Sequence, residues 1–141
     1  MSHVRTQIRD AFASALASVC TVYKSRVYPV ADTVLPVILV YTNNEEINED
    51  GSFSVLSRSL TVVVEIVADG GTSLDSTLDA LTASAESAIG ADPTLGGKCV
   101  EALPASIEIQ ISTEGARQIG RARLSYSVHY RTTAADPQTS I

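Results

Sequence analysis

A long alternation of apolar and polar residues constrains this chain more than any other feature. Within residues 55–68 the side chains repeat every second position, which is the period of a β-strand. At about 3.3 Å per residue the strand is more than about 40 Å long, which exceeds the need of a compact domain. We therefore expect part of it to project as an arm or hairpin. The apolar side holds Leu60, Val62, Val64 and Ile66, and the polar side mostly holds Ser57, Ser59, Thr61 and Glu65.

Two further alternating segments meet at Gly115-Ala116 near the end of the chain. Glycine in the first central position suits a type II′ turn, so we predict a hairpin in which Glu114 faces Arg117. This register has consequences for both faces of the hairpin. It places Ile107 and Ile109 on the core face, opposite Leu124 and Ala122, and Glu108 and Gln110 on the outer face, opposite Arg123 and Arg121.

Two segments have the three-and-four spacing of amphipathic helices. The first follows Ser2, a candidate N-cap, and the second follows Thr72 or Ser73 and ends at Gly90 and Pro93. Polar residues occupy the opposite sides, so each helix is expected to lie on a sheet. The apolar stripes hold Val4, Ile8, Ala11, Phe12, Ala15, Leu16 and Val19 in the first helix, and Leu74, Leu78, Leu81, Ala85, Ala88 and Ile89 in the second.

Shorter segments predict the remaining strands. Residues 21–23 and 26–28 are rich in β-branched and aromatic types and predict a short strand closed by Pro29. Residues 37–41 form an uninterrupted apolar run, which is typical of a central strand covered on both faces. Residues 43–51 concentrate a quarter of the acidic residues without any periodicity, and we expect a mobile loop there.

These elements predict one α+β domain over residues 1–132. Its two helices pack on a mixed, mostly antiparallel sheet of about five strands, with a long strand or hairpin arm. A chain of 141 residues, 45% of them hydrophobic, suffices for one core and leaves little room for a second. Residues 133–141 contain Pro137 and small polar residues, so we expect a flexible C-terminal tail.

The charge balance and the cysteines bound the class of protein. A formal net charge of −6, from 16 acidic and 10 basic residues, repels a phosphate backbone and disfavours general nucleic-acid binding. No apolar run approaches membrane-spanning length, and no basic segment followed by an apolar one opens the chain as in a signal peptide. Cys20 and Cys99 lack the spacing of a zinc site, and we expect two buried, reduced thiols.

The sequence offers no convincing catalytic, cofactor-binding or metal-binding motif, so we do not expect an enzyme. His129 shares the parity of outer-face arginines in the last strand. The acidic segment around Asp50 departs from a calcium loop because Ser57 stands where a bidentate Glu is needed. Gly96-Gly97-Lys98 is followed by Cys99 instead of Ser or Thr, so it is no phosphate-binding loop.

Charged and exposed positions supply the candidates for a partner or subunit interface. An acidic set and a basic set would complement each other across two subunits, and one apolar residue on the outer face of the long strand would be covered by a neighbour. The acidic set is Glu45, Glu46, Glu49 and Asp50, the basic set is Arg117, Arg121 and Arg123, and the apolar residue is Val63.

Nine segments spread over nearly the whole chain carry a resemblance to a known family. They are SHVRTQIR at 2–9, SRVYP at 25–29, LPVILVYT at 35–42, RSLTVVVE at 58–65, LDAL at 78–81, ADPTLGG at 91–97, GRARL at 120–124, YRT at 130–132 and DP at 136–137. In these segments the chain resembles the tail terminator proteins of long-tailed phages and prophages, the family that includes minor tail protein U. These segments belong to the structural framework and include no catalytic motif.

The resemblance implies an α+β subunit that assembles into a six-fold ring on the head-proximal end of the tail tube. Such a ring ends tube polymerisation and presents a surface to the head-completion proteins of the neck. The implied partners are copies of the chain itself, the tail tube protein and a neck protein, while DNA passes through the pore without specific binding. The implied location is the virion, after assembly in the host cytoplasm.

Other functions remain open at this point. A neck or head-closure connector would bind a portal-side ring and not the tube. A small-molecule-binding regulatory module would need a pocket with convergent polar groups. An enzyme would have to use His129, Cys20 or Cys99.

Overall fold

The computed structural model describes residues 2–24, 35–49, 54–114 and 117–141, and these residues form one sheet with two helices on one of its faces. The helices are α1 (Val4–Leu16) and α2 (Leu74–Gly90), and a short 3-10 turn at Gly71–Ser73 precedes α2. The strands are β1 (Thr21–Tyr23), β2 (Val37–Glu49), β3 (Val55–Asp69), β4 (Glu101–Glu114) and β5 (Arg117–Thr133).

The strand order β1-β2-β3-β5-β4 confirms the predicted α+β fold with a mixed, mostly antiparallel sheet. β1 pairs in parallel with β2, and all other neighbours are antiparallel. The prediction for residues 26–28 and the turn at 115–116 fall outside the described residues. β2 lies between β1 and β3, as its apolar first half predicts.

The long alternating strand is confirmed as β3, the middle strand of the sheet. β5 pairs with it from Val55, opposite Thr133, to Asp69, opposite Ile119. The core-facing side chains of β3 are buried beneath the helices. Because β5 is also long and pairs along all of β3, the whole length of β3 lies within the sheet.

The predicted register of the last hairpin is confirmed pair by pair. Ile107 faces Leu124, Glu108 faces Arg123, and the pairing runs to Glu114 opposite Arg117. Ile107 and Ile109 are on the predicted core face of the hairpin, but they are 47% and 49% exposed. They lie on the helix side of the sheet, but α2 packs on β3 and β5 and leaves the edge strand largely uncovered.

The acidic segment is a strand and not a mobile loop, up to the last described residue before the gap. Residues 43–49 continue β2 and pair with β3, after a register shift between Thr42 and Glu45. Glu46, Ile47, Asn48 and Glu49 are all exposed, so this half of the strand has no apolar periodicity. The backbone ladder with β3 and the buried side chain of Glu45 hold it in the sheet. Asp50 lies outside the described residues.

The predicted apolar stripes of both helices form the main core. Val4, Ile8, Phe12 and Leu16 of α1 are fully buried, and Phe12 contacts Tyr126 edge to face at 5.2 Å between ring centroids. The N-cap of α1 is His3 and not Ser2, because the imidazole Nδ1 of His3 accepts the N–H of Arg5. A second, smaller cluster of Val37, Leu39, Val67 and Ile119 lies on the other face of the sheet.

Residues 134–141 lie against the start of α1 and the end of β5. Val4 N donates to the carbonyl of Pro137 at 2.9 Å, and Ile141 N donates to the carbonyl of Arg131 at 2.9 Å. Gln7 Nε2 donates to the carbonyl of Gln138 at 2.8 Å. The flexibility expected for this tail stays a prediction. Among the described residues, no helix combines the length and apolar character needed to cross a membrane.

Candidate functional site

The first predicted interface residue, Glu45, lies at the centre of a buried polar cluster. Its carboxylate accepts from Arg5 Nη1 at 3.0 Å, from Arg58 Nη1 at 3.1 Å and from the Tyr130 hydroxyl. Arg58 Nε also donates to Thr132 Oγ1 at 3.1 Å. We call these five residues the Glu45 cluster. The Glu45 side chain is only 5% exposed, so its charge is balanced within the subunit.

Electrostatics within the Glu45 cluster follow from burial. Burial, followed by the hydrogen bond and the charge of Glu45, raises the pKa of the Tyr130 hydroxyl well above its ordinary range. Tyr130 is therefore a neutral donor to Glu45 at physiological pH. The Arg58 guanidinium lies 5.9 Å from the centre of the Tyr130 ring, which adds a cation–π contact.

A second buried carboxylate, Glu65, binds the predicted basic residues on the helix-free face. Arg121 Nη1 lies 3.2 Å from Glu65 Oε2, and Arg123 Nε lies 3.1 Å from Oε1. The Tyr41 hydroxyl donates to Oε1 at 3.0 Å. The hydrogen bond to Glu65 is the main cause that raises the pKa of Arg123. Arg123 also lies 3.8 Å from Glu108, the partner predicted by the hairpin register.

Glu65 on β3 is a partner of Arg121 and Arg123 that sequence reasoning missed. The alternation along β3 places Glu65 on the polar side of the strand. Nothing in the sequence indicates that it is buried, with only 6% of its surface exposed. The role of Arg121 and Arg123 in an interface stays a prediction. Both guanidiniums already have an acceptor in their own subunit.

The other predicted interface residues lie in different places. Glu46 and Glu49 are exposed on the second half of β2, as expected for a docking surface. Val63 is on the predicted outer face but is only 3% exposed, so it is not the uncovered apolar residue that we expected. Tyr41 and Ser125 flank it on the neighbouring strands. Arg117 begins β5 opposite Glu114, and its side chain is outside the described part of the chain.

The surface that sequence reasoning missed is a row of three isoleucines on β4. Ile107, Ile109 and Ile111 are 47%, 49% and 50% exposed, and all three point to the helix side of the sheet. We call them the isoleucine row. In the described chain β4 is the last strand of the sheet, so its outer backbone edge has no strand beside it. The alternation was visible in the sequence, but the position of α2 relative to the sheet edge was not.

A groove of about 450 Å³ separates the two helices. Its polar residues include Gln7, Asp10, Asp92 and Lys98, and its apolar wall is built from small side chains of both helices. Asp92 closes the turn after α2 by accepting from Thr94 Oγ1 and Gly96 N, each at 2.8 Å. These hydrogen bonds, the Thr94 hydroxyl first, lower the pKa of Asp92.

The cysteines and histidines do not form a reactive group in the described chain. Cys99 is buried and Cys20 is half-buried, so the expectation of two buried thiols is wrong for Cys20. Burial, together with the charges of Asp92 and Glu101, raises the pKa of the Cys99 thiol to about 11. His129 Nε2 lies 3.4 Å from Ser127 Oγ on the outer face. No group of three or more His, Cys, Asp or Glu among the described residues is arranged to hold a metal ion.

The fold has a counterpart among solved structures at low sequence identity. No protein-family model matches the chain, and no curated protein matches it. A chain from the virion of a native gene transfer agent particle aligns with 92% of this chain and 92% of its own length, with 17% identity and a TM-score of 0.41.

Proposed function

We propose that this chain is a structural protein of a tailed-phage or prophage virion, and specifically a tail terminator. Copies of it form a ring, with six subunits as the resemblance implies, on the head-proximal end of the tail tube. The ring ends tube polymerisation and provides the attachment surface for the neck. In this role the chain is not an enzyme and needs no cofactor.

The isoleucine row is the observation that carries this proposal. Stable monomers usually cover or charge the edge strands of their sheets, because an open edge with apolar side chains recruits other chains. Here three exposed isoleucines accompany an edge strand of 14 residues. That combination favours a subunit of a larger assembly over a protein that works alone.

The positions of the family-like segments add support. Six of the nine segments fall on α1, β2, β3, α2 and β5, which together build most of the core. Segment 58–65 lies in the middle strand of the sheet, and segment 120–124 includes Gly120, against which α2 packs. A similarity distributed over the whole core supports a common subunit architecture more than a shared surface loop would.

A tube-growth assay tests the proposal. Tail tube protein from the phage or prophage that encodes this chain is polymerised with and without the purified chain, and tube lengths are measured by negative-stain microscopy. We expect shorter tubes with a ring at one end. Unchanged tube lengths together with bare tube ends would contradict the proposal. Unchanged lengths with binding to a portal-side ring would instead identify a neck connector.

The groove between the helices favours a second candidate, a small-molecule-binding regulatory module. It has the convergent polar groups Gln7, Asp10, Asp92 and Lys98 that such a site requires. A panel of metabolites that raises the melting temperature of the wild-type chain, but not of Lys98→Ala, would support this function. No shift with any compound would leave the groove as a feature of helix packing.

A further inference from the structure

The outer flank of α2 is acidic. Leu81 and Ala88 line the grooves that α2 forms with α1, which fixes the side of α2 that faces α1. With 100° between successive residues, Asp75, Asp79 and Glu86 lie on the side of α2 that faces away from α1. In the strand order this is the β4 side of the sheet, because α1 packs on β1 and β2 and α2 on β3 and β5. All three acidic residues are exposed. We call them the acidic flank, and it runs beside the isoleucine row.

The outer flank of α1, at the other end of the sheet, is basic. Ala11 and Ala15 face α2 across the helix groove, so Arg5 and Arg9 lie on the side of α1 that faces away from α2. Arg5 reaches Glu45 on β2 and keeps 43% of its side chain exposed. The Nε of Arg9 is buried and has no hydrogen-bond acceptor among the described residues.

The isoleucine row forms a ridge on the β4 edge, whereas the β1 edge carries a groove. The groove has a volume of about 490 Å³ and lies between α1 and β1. Small or apolar side chains form much of its wall, and one ion pair, Lys24 with Asp10 at 3.1 Å, lies within it. Those apolar side chains are Ala13, Ala17, Cys20 and Val22.

We propose that the subunits of the ring contact one another head to tail. The isoleucine row and acidic flank of one copy dock on the β1 groove and basic flank of the next. This inference rests on the proposed function and names the surfaces that build the ring. The two edges are complementary in shape, ridge against groove, and in charge, Asp79 and Glu86 against Arg9. Contacts between two different surfaces of identical subunits generate a ring when the rotation between neighbours closes, whereas self-complementary contacts generate pairs.

A two-fold pairing of β4 with β4 of a second copy is disfavoured by charge. Such a pair would align isoleucine with isoleucine, with Ile109 at the centre. It would also place the two β5 strands three spacings, or about 14 Å, apart, with an α2 helix packed on each. The two acidic flanks, each with Asp79 and Glu86, would then face each other.

Charge reversal followed by mixing tests the proposed contact. The first variant is Asp79→Arg with Glu86→Arg, and the second is Arg9→Glu. We expect each variant alone to lose at least about tenfold in association constant, because it places like charges across every contact. An equimolar mixture recovers assembly, because the two variants complement each other around an even-numbered ring. Native mass spectrometry then finds equal numbers of the two variants in each ring.

Matched controls separate the contact from general effects. Glu46→Arg with Glu49→Arg makes the same charge change as the first variant on the second half of β2, the other candidate interface. It therefore distinguishes the two surfaces, and the head-to-tail contact predicts normal assembly for it. Circular dichroism and melting temperature verify that all variants fold. Replacing the three isoleucines by threonine retains β propensity but removes the ridge. We therefore expect that mixing this variant with either charge variant does not restore assembly.

Several results would overturn this inference without deciding the proposed function. Assembly of Arg9→Glu equal to wild type would exclude the head-to-tail contact, and so would a mixture that stays dissociated. Loss of assembly in Glu46→Arg with Glu49→Arg, but not in the other variants, would assign the interface to β2. A wild-type chain that is monomeric at every concentration tested also overturns it, while the tube-growth assay decides the proposed function separately.

Discussion

The stability of the start of α1 depends on pH through one histidine, His3. The Nδ1 of His3 caps the helix only while it is unprotonated, and this tautomer is the one that the hydrogen bond to Arg5 N requires. Burial first, and then the charge of Arg5, lower the pKa of His3 below its ordinary 6.5, although the Glu45 carboxylate opposes the shift. Because the unfolded chain binds this proton more readily, the stabilisation is complete above about pH 6.5 and declines below it.

We therefore predict that His3→Asn weakens the pH dependence of stability. Asparagine is a good N-cap that does not titrate, so the helix start stays capped. Urea unfolding at pH 7.5 and pH 5 should give a smaller difference in free energy for His3→Asn than for wild type. Parallel pH profiles for the two proteins would show that His3 does not titrate with folding.

The Glu45 cluster gives a second prediction at this scale. Glu45→Ala removes the common acceptor of Arg58 and Tyr130, and Arg58 is then a buried charge without its counter-ion. We expect a loss of about 3–5 kcal/mol in the free energy of unfolding. Glu46→Ala, on the exposed side of the same strand, should change it by less than about 0.5 kcal/mol. Equal effects of the two substitutions in urea titrations would contradict the role of Glu45.

The burial of the Glu45 and Glu65 carboxylates could not be predicted from the sequence, and the physical reason is the same for both. Glu45 and Glu65 are acidic residues, and acidic residues are nearly always exposed unless they are paired. Their partners are distant in sequence: Glu65 binds Arg121 and Arg123 across the sheet. Only the pairing of β3 with β5 brings these charges together, and a single sequence does not show that pairing directly.

At the scale of elements, the contact between α2 and β5 depends on the absence of a side chain. A Cβ at Gly120 would lie 2.7 Å from Leu78 Cδ1 and 3.0 Å from Leu74 Cγ. Both leucines are buried in the main core, so they have little room to move. The helix therefore sits close to the sheet at this position.

We predict that Gly120→Val destabilises the protein by about 1–3 kcal/mol through overpacking. Gly90→Ala at the end of α2 is the control, since an added Cβ there meets nothing within 4 Å. Alanine is a better helix former, so the control should be neutral or slightly stabilising. Thermal unfolding of both variants measures the difference, and an equal melting temperature for Gly120→Val and wild type would refute the close contact.

Element type was predictable wherever periodicity was strong. The two helices, β3 and the register of the last hairpin follow from the spacing of apolar residues and from turn chemistry. The second half of β2 could not be predicted in this way, because a strand whose side chains are mostly exposed has no apolar pattern. Ile107 and Ile109 were assigned to the correct face, but their exposure depends on how far α2 extends across the sheet.

For the molecule as a whole, the C-terminal segment connects the last strand back to the first helix. Removing residues 134–141 would leave Val4 N without the Pro137 carbonyl and Gln7 without the Gln138 carbonyl. We predict a loss of about 1–2 kcal/mol in the free energy of unfolding, from these few net hydrogen bonds. Chemical unfolding of the truncated and complete chains measures it. An unchanged free energy would support the flexible tail that composition predicts.

The uncovered edge of β4 also matters while the protein is being made. Before copies meet in the intended geometry, an edge strand with apolar side chains is a template on which unfolded or wrongly aligned chains add. Pro104 has no N–H to offer, and the irregularity between Pro104 and Ser106 bends the strand, so only its second half presents a regular edge. Aggregation during expression should therefore nucleate at residues 106–114, and a lysine at position 109 should raise the soluble yield even as it prevents assembly.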